Sequence, residues 1–205
     1  MSNETFACQT ITFGENQKQE FPAVFAAVAE AGYTGVEIGF RHLQDLLPEQ
    51  VQDLLDRAGL RLAASHVGGN LEDAAQADGE RAILETVLDY LAPIGTRLLM
   101  YSGLRYESAA QFDRDLAMLN RSAERCRARG VHLLYHNHNW EFADGARVMD
   151  GLLERGSEAL GLCPDLGWVH QGGADVVSFL DRAKSRIGAV HFKDFATRDP
   201  GLDTV

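Results

Sequence analysis

The sequence lacks the features that mark several classes of protein. Its three cysteines, Cys8, Cys126 and Cys163, form no CxxC pair, a pattern typical of a reducing compartment without a disulfide framework. No apolar run approaches the roughly 18 residues of a membrane span. The N-terminal segment MSNETFACQT has neither the basic nor the apolar region of a secretory signal. These absences predict a cytoplasmic protein that does not interact with membranes.

Positive charge is also scarce. The chain has 19 lysines and arginines against 30 aspartates and glutamates, a formal net charge of −11. Proteins that bind nucleic acids generally present a basic surface, so we predict no nucleic-acid partner. Hydrophobic residues make up 45% and charged residues 24% of the 205 positions, which is typical of a globular protein with an ample core. We therefore predict a single domain over residues 1–205.

Short β-prone apolar runs alternate with longer amphipathic stretches along the whole chain. The predicted strands begin roughly 25 to 35 residues apart, the length of one β-α unit. They are Phe6–Thr10, Gly35–Ile38, Leu62–His66, Leu98–Tyr101, Val131–His136, Leu160–Pro164 and Ile187–Phe192. The predicted helices run from Phe21 to Gly32, Pro48 to Gly59, 77–95, Ser108 to Gly130, Arg147–Arg155 and Asp175–Ala183.

This alternation predicts parallel β-α units. A doubly wound sheet usually needs fewer strands, and no GxGxxG follows the first predicted strand, so a (β/α)₈ TIM-barrel type is favoured. Such a barrel has an eighth strand and about 250 residues. We therefore expect a TIM-barrel-like domain that lacks the usual eighth strand and is apparently truncated after strand seven. Its open edge would lower stability or favour association.

Polar side chains stand at the C-terminal ends of three consecutive predicted strands. His136 ends the fifth strand, Asp165 follows the sixth and His191 lies in the seventh, at intervals of 29 and 26 residues. Active sites of these barrels lie at the C-terminal ends of the strands, so the three side chains can meet. Imidazole and carboxylate form a mixed set suited to Mn²⁺, Co²⁺, Zn²⁺ or Fe²⁺. The spacing predicts a site for one divalent metal.

Each of these residues has a simpler interpretation. A histidine at a strand end is often a hydrogen-bonded structural residue, and Asp165 after Pro164 can cap the loop that follows. His138 shares a strand face with His136 if the strand stays regular. Either can therefore be the fifth-strand ligand; we prefer His136, with His138 beside it.

Five segments resemble the xylose-isomerase-like TIM barrels, which include sugar phosphate isomerases and epimerases, inosose dehydratase and related keto-sugar enzymes. The segments are GYTGVEIG, ASHVGG, YHNHNWEF, PDLGWVHQGGAD and RIGAVHFKD. Family members typically hold one divalent metal through a glutamate, an aspartate and a histidine on strands five to seven and a glutamate on strand eight. Asp165 and His191 match directly, His136 replaces the first glutamate, and the last has no counterpart.

The resemblance implies a metal-dependent sugar isomerase or epimerase that works through an enediolate. The alternatives are a dehydratase or lyase acting on an inosose or keto-sugar, or a catalytically inactive truncated barrel. An abasic-site endonuclease on the same fold is disfavoured by the net charge. The expected partner is a small sugar or polyol-derived substrate. A homo-oligomer stays an option, because family members are often dimers or tetramers.

Neither of the glutamates that move the proton in family epimerases is present, so other side chains must do this work. The candidate catalytic residues are His138, Glu141 and Lys193. The candidate substrate-binding residues are Glu37, His66, Trp168 and His170.

Overall fold

The computed structural model describes residues 6–73, 83–103 and 105–195. The chain folds into two compact units, Met1–Leu99 and Met100–Val205. The described strands are β1 Ala7–Gln9, β2 Gly35–Gly39, β3 Arg61–Gly68, β4 Leu98–Ser102, β5 His132–His136 and β6 Leu160–Cys163. The described α-helices are α1 Phe21–Glu30, α2 Phe40–Leu43, α3 Pro48–Ala58, α4 Leu84–Ile94, α5 Ala109–Ala128, α6 Ala143–Arg155, α7 Leu166–Gln171 and α8 Val176–Ala183. Within these ranges, no helix is long and apolar enough to span a membrane.

In the first unit, β1, β2 and β3 lie side by side in chain order and run parallel. Strand β2 is buried along nearly its whole length, as expected for a parallel strand covered on both faces. Helix α3 begins at Pro48, a position where a backbone N–H would have no hydrogen-bond partner within the helix. It is followed by Gly59 in the left-handed conformation at φ 68°. Helices α1 and α3 pack together and bury side chains such as Phe25 and Leu55.

The second unit holds the ends of the strands that matter for the site. The division between the units falls within β4, and β4, β5 and β6 follow one another in chain order. Strands β5 and β6 are parallel, with His136 opposite Cys163 at the end of the ladder. The Ser108 hydroxyl caps α5 by accepting a hydrogen bond of 3.2 Å from the Gln111 N–H, as the sequence predicts.

The segment predicted as a seventh strand, Ile187–Phe192, is not a regular strand. It makes only two isolated parallel bridges among the described residues, Leu162 to Ile187 and Asp165 to His191. The interruption has a local cause: Pro164 has no N–H to donate between these two points. Its carbonyl still accepts a 2.8 Å hydrogen bond from the His191 N–H. The prediction of a regular strand is therefore wrong, although the segment runs beside β6 as expected.

The helix predictions agree with the structure where it describes them. Residues Asp144, Gly145 and Ala146 are left-handed, so the regular part of α6 begins at Arg147, the predicted start. Residues 77–82 of the predicted fourth helix lie outside the described residues. The short helices α2 and α7 were not predicted. The prediction of one domain over residues 1–205 stays a prediction.

Candidate metal centre

The three predicted ligands converge in the second unit. His136 ends β5, Asp165 precedes α7, and His191 lies opposite Asp165. One ligand atom from each residue lies within 4.8 Å of the other two. His136 Nε2 is 3.4 Å from Asp165 Oδ2, and the His136 and His191 ring centroids are 4.7 Å apart. His136 and Asp165 are buried, whereas His191 is half-buried and is the most exposed member of the cluster.

The two oxygens of Asp165 have different partners. Oδ1 accepts a hydrogen bond of 3.0 Å from the Trp168 N–H and thereby caps α7. Oδ2 faces His136. Asp165 thus acts as a cap with one oxygen, although the segment that it caps is helix α7 and not the expected loop, and the other oxygen is left for a ligand. A buried carboxylate beside two imidazoles, all suited to a divalent cation, fits the metal that the family resemblance implies.

His138 lies beside the cluster rather than in it. Its ring stacks on Trp140 with centroids 4.1 Å apart and planes 10° apart. The His138 ring centroid lies 5.0 Å from that of His136 and 5.8 Å from that of Trp168. The group of mutually close ligand atoms contains His136 and not His138. The geometry thus favours His136 as the fifth-strand ligand and places His138 next to it.

Glu141 is fully buried, and both of its oxygens accept hydrogen bonds. Oε1 accepts from the Tyr135 hydroxyl at 3.0 Å, and Oε2 accepts from the His138 N–H at 2.8 Å. Burial raises the pKa of Glu141 to about 7, although hydrogen bonds from the His138 backbone and Tyr135 act in the opposite direction. The carboxyl group therefore holds the turn that carries His138. Its predicted catalytic role stays a prediction.

Gly103, just after β4, leaves room for two tyrosine hydroxyls behind this turn. A Cβ atom at position 103 would lie 2.0 Å from the Tyr135 hydroxyl oxygen and 3.0 Å from that of Tyr106. We expect Gly103→Ala to lower the free energy of unfolding by about 1–3 kcal/mol through overpacking. Urea denaturation measures this. In a Tyr135→Phe background, Gly103→Ala should lower the free energy of unfolding by less, because the hydroxyl oxygen that clashes most closely is absent. An equal loss of stability in both backgrounds would contradict the explanation.

Trp168, Lys193 and His170 lie at different depths. Trp168 is only 1% exposed and packs on Phe195, with ring centroids 4.7 Å apart. Lys193 is exposed, with Nζ 4.7 Å from the centroid of the Trp168 ring. His170 is exposed near the end of α7. The roles predicted for all three stay predictions.

Glu37 and His66 belong to the first unit, where Glu37 is the middle residue of β2 and His66 lies two residues before the end of β3. Glu37 is buried, and its Oε1 accepts a hydrogen bond of 3.2 Å from Gln9 Nε2 on the neighbouring strand. His66 is half-buried opposite Gly39. Their predicted role as substrate contacts stays a prediction. Gln9 was not predicted, although its place at the end of β1 could have indicated it.

Sequence comparison identifies the family to which the chain belongs. The family model described as xylose isomerase-like TIM barrel matches residues 25–203. The chain belongs to this family. It is also 26% identical over 189 residues to inosose dehydratase from Geobacillus kaustophilus, covering 83% of this chain and 61% of that protein. The chain thus spans about three fifths of the length of this curated relative.

Solved structures share the fold. A sugar phosphate isomerase/epimerase from Parabacteroides distasonis matches with a TM-score of 0.78 and 22% identity, over 100% of this chain and 80% of that one. D-allulose 3-epimerase from Methylomonas sp. matches with a TM-score of 0.68 and 18% identity, over 91% of this chain and 71% of that one. The predicted TIM-barrel type and the predicted family are both confirmed.

Proposed function

We propose that this xylose isomerase-like chain carries the divalent-metal centre of an enzyme that removes the proton next to the carbonyl of a keto-sugar or keto-polyol. The observation that carries the proposal is the cluster of His136, Asp165 and His191, whose ligand atoms lie within 4.8 Å of one another. Two imidazoles and a carboxylate suit Mn²⁺, Co²⁺, Zn²⁺ or Fe²⁺. A divalent cation bound there would supply Lewis acidity toward a ketone oxygen.

Other residues of the chain are proposed to transfer the proton, to stabilise charge on the substrate and to hold the site in place. His138 is the proposed base for the α-proton, and its ring beside the cluster, stacked on Trp140, supports this role. Lys193 brings an exposed ammonium group two residues after His191, where it can balance the negative charge that develops on the substrate oxygen. Glu141 accepts hydrogen bonds from Tyr135 and the His138 N–H, which supports a role in holding the turn that carries His138.

We place dehydration first among the outcomes of this step. The curated relative from Geobacillus kaustophilus is an inosose dehydratase, and the alignment includes more than four fifths of this chain. In a dehydration the α-proton goes to the base, the hydroxyl on the β-carbon leaves with a proton from an acid, and one molecule of water is released. A new carbon–carbon double bond remains in the product.

Isomerisation or epimerisation is the second candidate. The structural matches to the Parabacteroides distasonis isomerase/epimerase and to D-allulose 3-epimerase favour it. It begins with the same proton removal. The proton then returns to the other face of the same carbon or to the neighbouring carbon, and no group leaves.

Proton exchange in deuterated water tests the shared step. With Mn²⁺ added, we expect the chain to catalyse incorporation of deuterium next to the carbonyl of an inosose or of D-allulose, followed by NMR. His138→Gln should slow this exchange by about 100-fold or more, since a positioned base typically contributes 10²–10⁴-fold. Chelator-treated protein is the control.

The same spectra distinguish the two outcomes. Formation of an unsaturated product from the inosose identifies a dehydratase, whereas deuterated epimer or isomer without water loss identifies the second candidate. A chain that binds Mn²⁺ yet exchanges neither substrate would refute the proposed activity while leaving the metal centre in place.

A further inference from the structure

The side chain of Asn137 links the ends of the two strands that carry His136 and Asp165. Its Oδ1 accepts a hydrogen bond of 3.0 Å from the Asp165 N–H, and its Nδ2 donates to the Asp165 carbonyl at 3.3 Å. Nδ2 also lies 3.4 Å from the His138 carbonyl, which accepts a weaker hydrogen bond. The side chain is only 1% exposed. One amide therefore pairs with both backbone groups of a candidate ligand residue.

This contact begins where the backbone ladder ends. The pairing of β5 with β6 stops at His136 and Cys163, and the next residue, Pro164, has no N–H. The Asn137 amide presents one acceptor and one donor in a plane, as a peptide group does. It continues the pairing for one more step, from the residue after His136 to Asp165. The backbones that carry these two ligands are thus joined by a side chain.

Asn137 reaches Asp165 from the β5 side, whereas His191 lies on the other side. Asp165 Oδ1 is held by the Trp168 N–H, and Asp165 bridges to His191 on its other edge. On the β5 side the side chains of His136 and Asp165 also meet, with His136 Nε2 3.4 Å from Asp165 Oδ2. Without Asn137, the Asp165 backbone would lose its hydrogen bonds to the residue that follows His136. The Asp165 N–H would also be left buried without this partner.

We propose that Asn137 is a positioning residue that sets the spacing between His136 and Asp165, and so the affinity and geometry of the metal centre. It does not contact the metal or the substrate. This inference rests on the metal centre of the proposed function. Hydrogen-bonding partners that orient ligands typically contribute 10–100-fold to metal affinity, and here the partner is a side chain bonded to the ligand's backbone.

The chain contains a matched control. Asn120 on α5 makes the same kind of two-point contact with backbone groups: Nδ2 donates to the Arg155 carbonyl at 3.1 Å, and Oδ1 accepts from the Ser157 N–H at 2.8 Å. None of these residues is a candidate ligand. Asn120→Leu therefore removes equivalent hydrogen bonds from the same unit without touching the strands that carry His136 and Asp165.

The test compares Asn137→Leu with Asn120→Leu in the whole chain. Leucine resembles asparagine in shape and adds no charge near the metal. We measure Co²⁺ affinity by competition with a chromophoric chelator, and the visible spectrum of the Co²⁺-saturated protein. Asn137→Leu should weaken binding by about 10–100-fold and alter the spectrum, which reports ligand geometry. Asn120→Leu should leave both within a factor of two of the wild type, even where its melting temperature falls.

The outcomes separate the inference from the function on which it rests. Wild-type protein that binds no Co²⁺ would overturn the metal centre and the inference with it. Wild-type affinity and spectrum in folded Asn137→Leu, or equal losses in both variants, would overturn the inference alone. If Asn137→Leu does not fold, Asn137→Ala takes its place. If neither folds, Asn137 is needed for the fold itself and the proposal fails.

Discussion

His191→Ala should abolish stoichiometric binding of Mn²⁺ or Co²⁺ while the protein stays folded. The three candidate ligand atoms lie within 4.8 Å of one another, so losing one leaves two members of this cluster among the residues that the structure describes. We expect the affinity to fall by more than about 100-fold, because even the loss of a group that merely orients a ligand typically costs 10–100-fold. His191 is half-buried, so removing its ring should have a modest effect on stability.

Asp165→Ala should abolish metal binding equally but costs more stability. The Asp165 side chain also caps α7, and losing such a cap typically costs about 1 kcal/mol. Asp165→Asn separates the two roles: its amide oxygen can still accept from the Trp168 N–H, whereas the negative charge is lost. Elemental analysis of the purified variants gives the metal content, and circular dichroism confirms folding.

His132→Ala provides the matched control for these variants. His132 lies on the same strand as His136 but is exposed at its other end. Its removal should leave about one metal per chain. Stoichiometric metal in both His191→Ala and Asp165→Ala would contradict the assignment of the cluster. Loss of metal in His132→Ala would show instead that binding depends on surface histidines.

The order of strands and helices could be predicted because it is a local property of the sequence. Buried parallel strands such as β6 are short apolar runs, and helices such as α3 carry their start and stop signals in Pro48 and Gly59. The prediction of a regular seventh strand was wrong for a reason that the sequence also contains. Pro164 removes a donor from the neighbouring ladder, and only the paired structure shows that this leaves two isolated bridges.

The convergence of His136, Asp165 and His191 follows from fold topology, which is why two spacings sufficed to suggest it. The supporting contacts do not follow from topology. In a regular strand Asn137 would lie on the face opposite to His136 and His138, and nothing local indicates that its amide pairs with Asp165. Such contacts depend on side-chain positions across strands about 28 residues apart in sequence, which periodicity cannot supply.

Glu141 should make the stability of the protein depend on pH. Burial raises the pKa of this carboxyl group from its ordinary value of 4.5 to about 7 in the folded protein. The folded state therefore holds a proton that the unfolded chain releases between these pH values. The resulting stabilisation is fully present below pH 4.5 and is lost as the pH rises through 7. The difference between the two pKa values corresponds to about 3 kcal/mol.

Glu141→Gln should remove this dependence, since glutamine keeps the shape and does not titrate. In metal-free protein, we expect the stability of the wild type relative to Glu141→Gln to fall by about 2–3 kcal/mol between pH 5 and pH 8, measured by urea unfolding. Glu154→Gln, at an exposed position on α6, should leave the slope unchanged. A constant difference between wild type and Glu141→Gln would show that Glu141 is already ionised at pH 5. The carboxylate would then be a charge that Tyr135 and the His138 N–H fully stabilise, and the turn carrying His138 would be held equally well on both sides of neutrality.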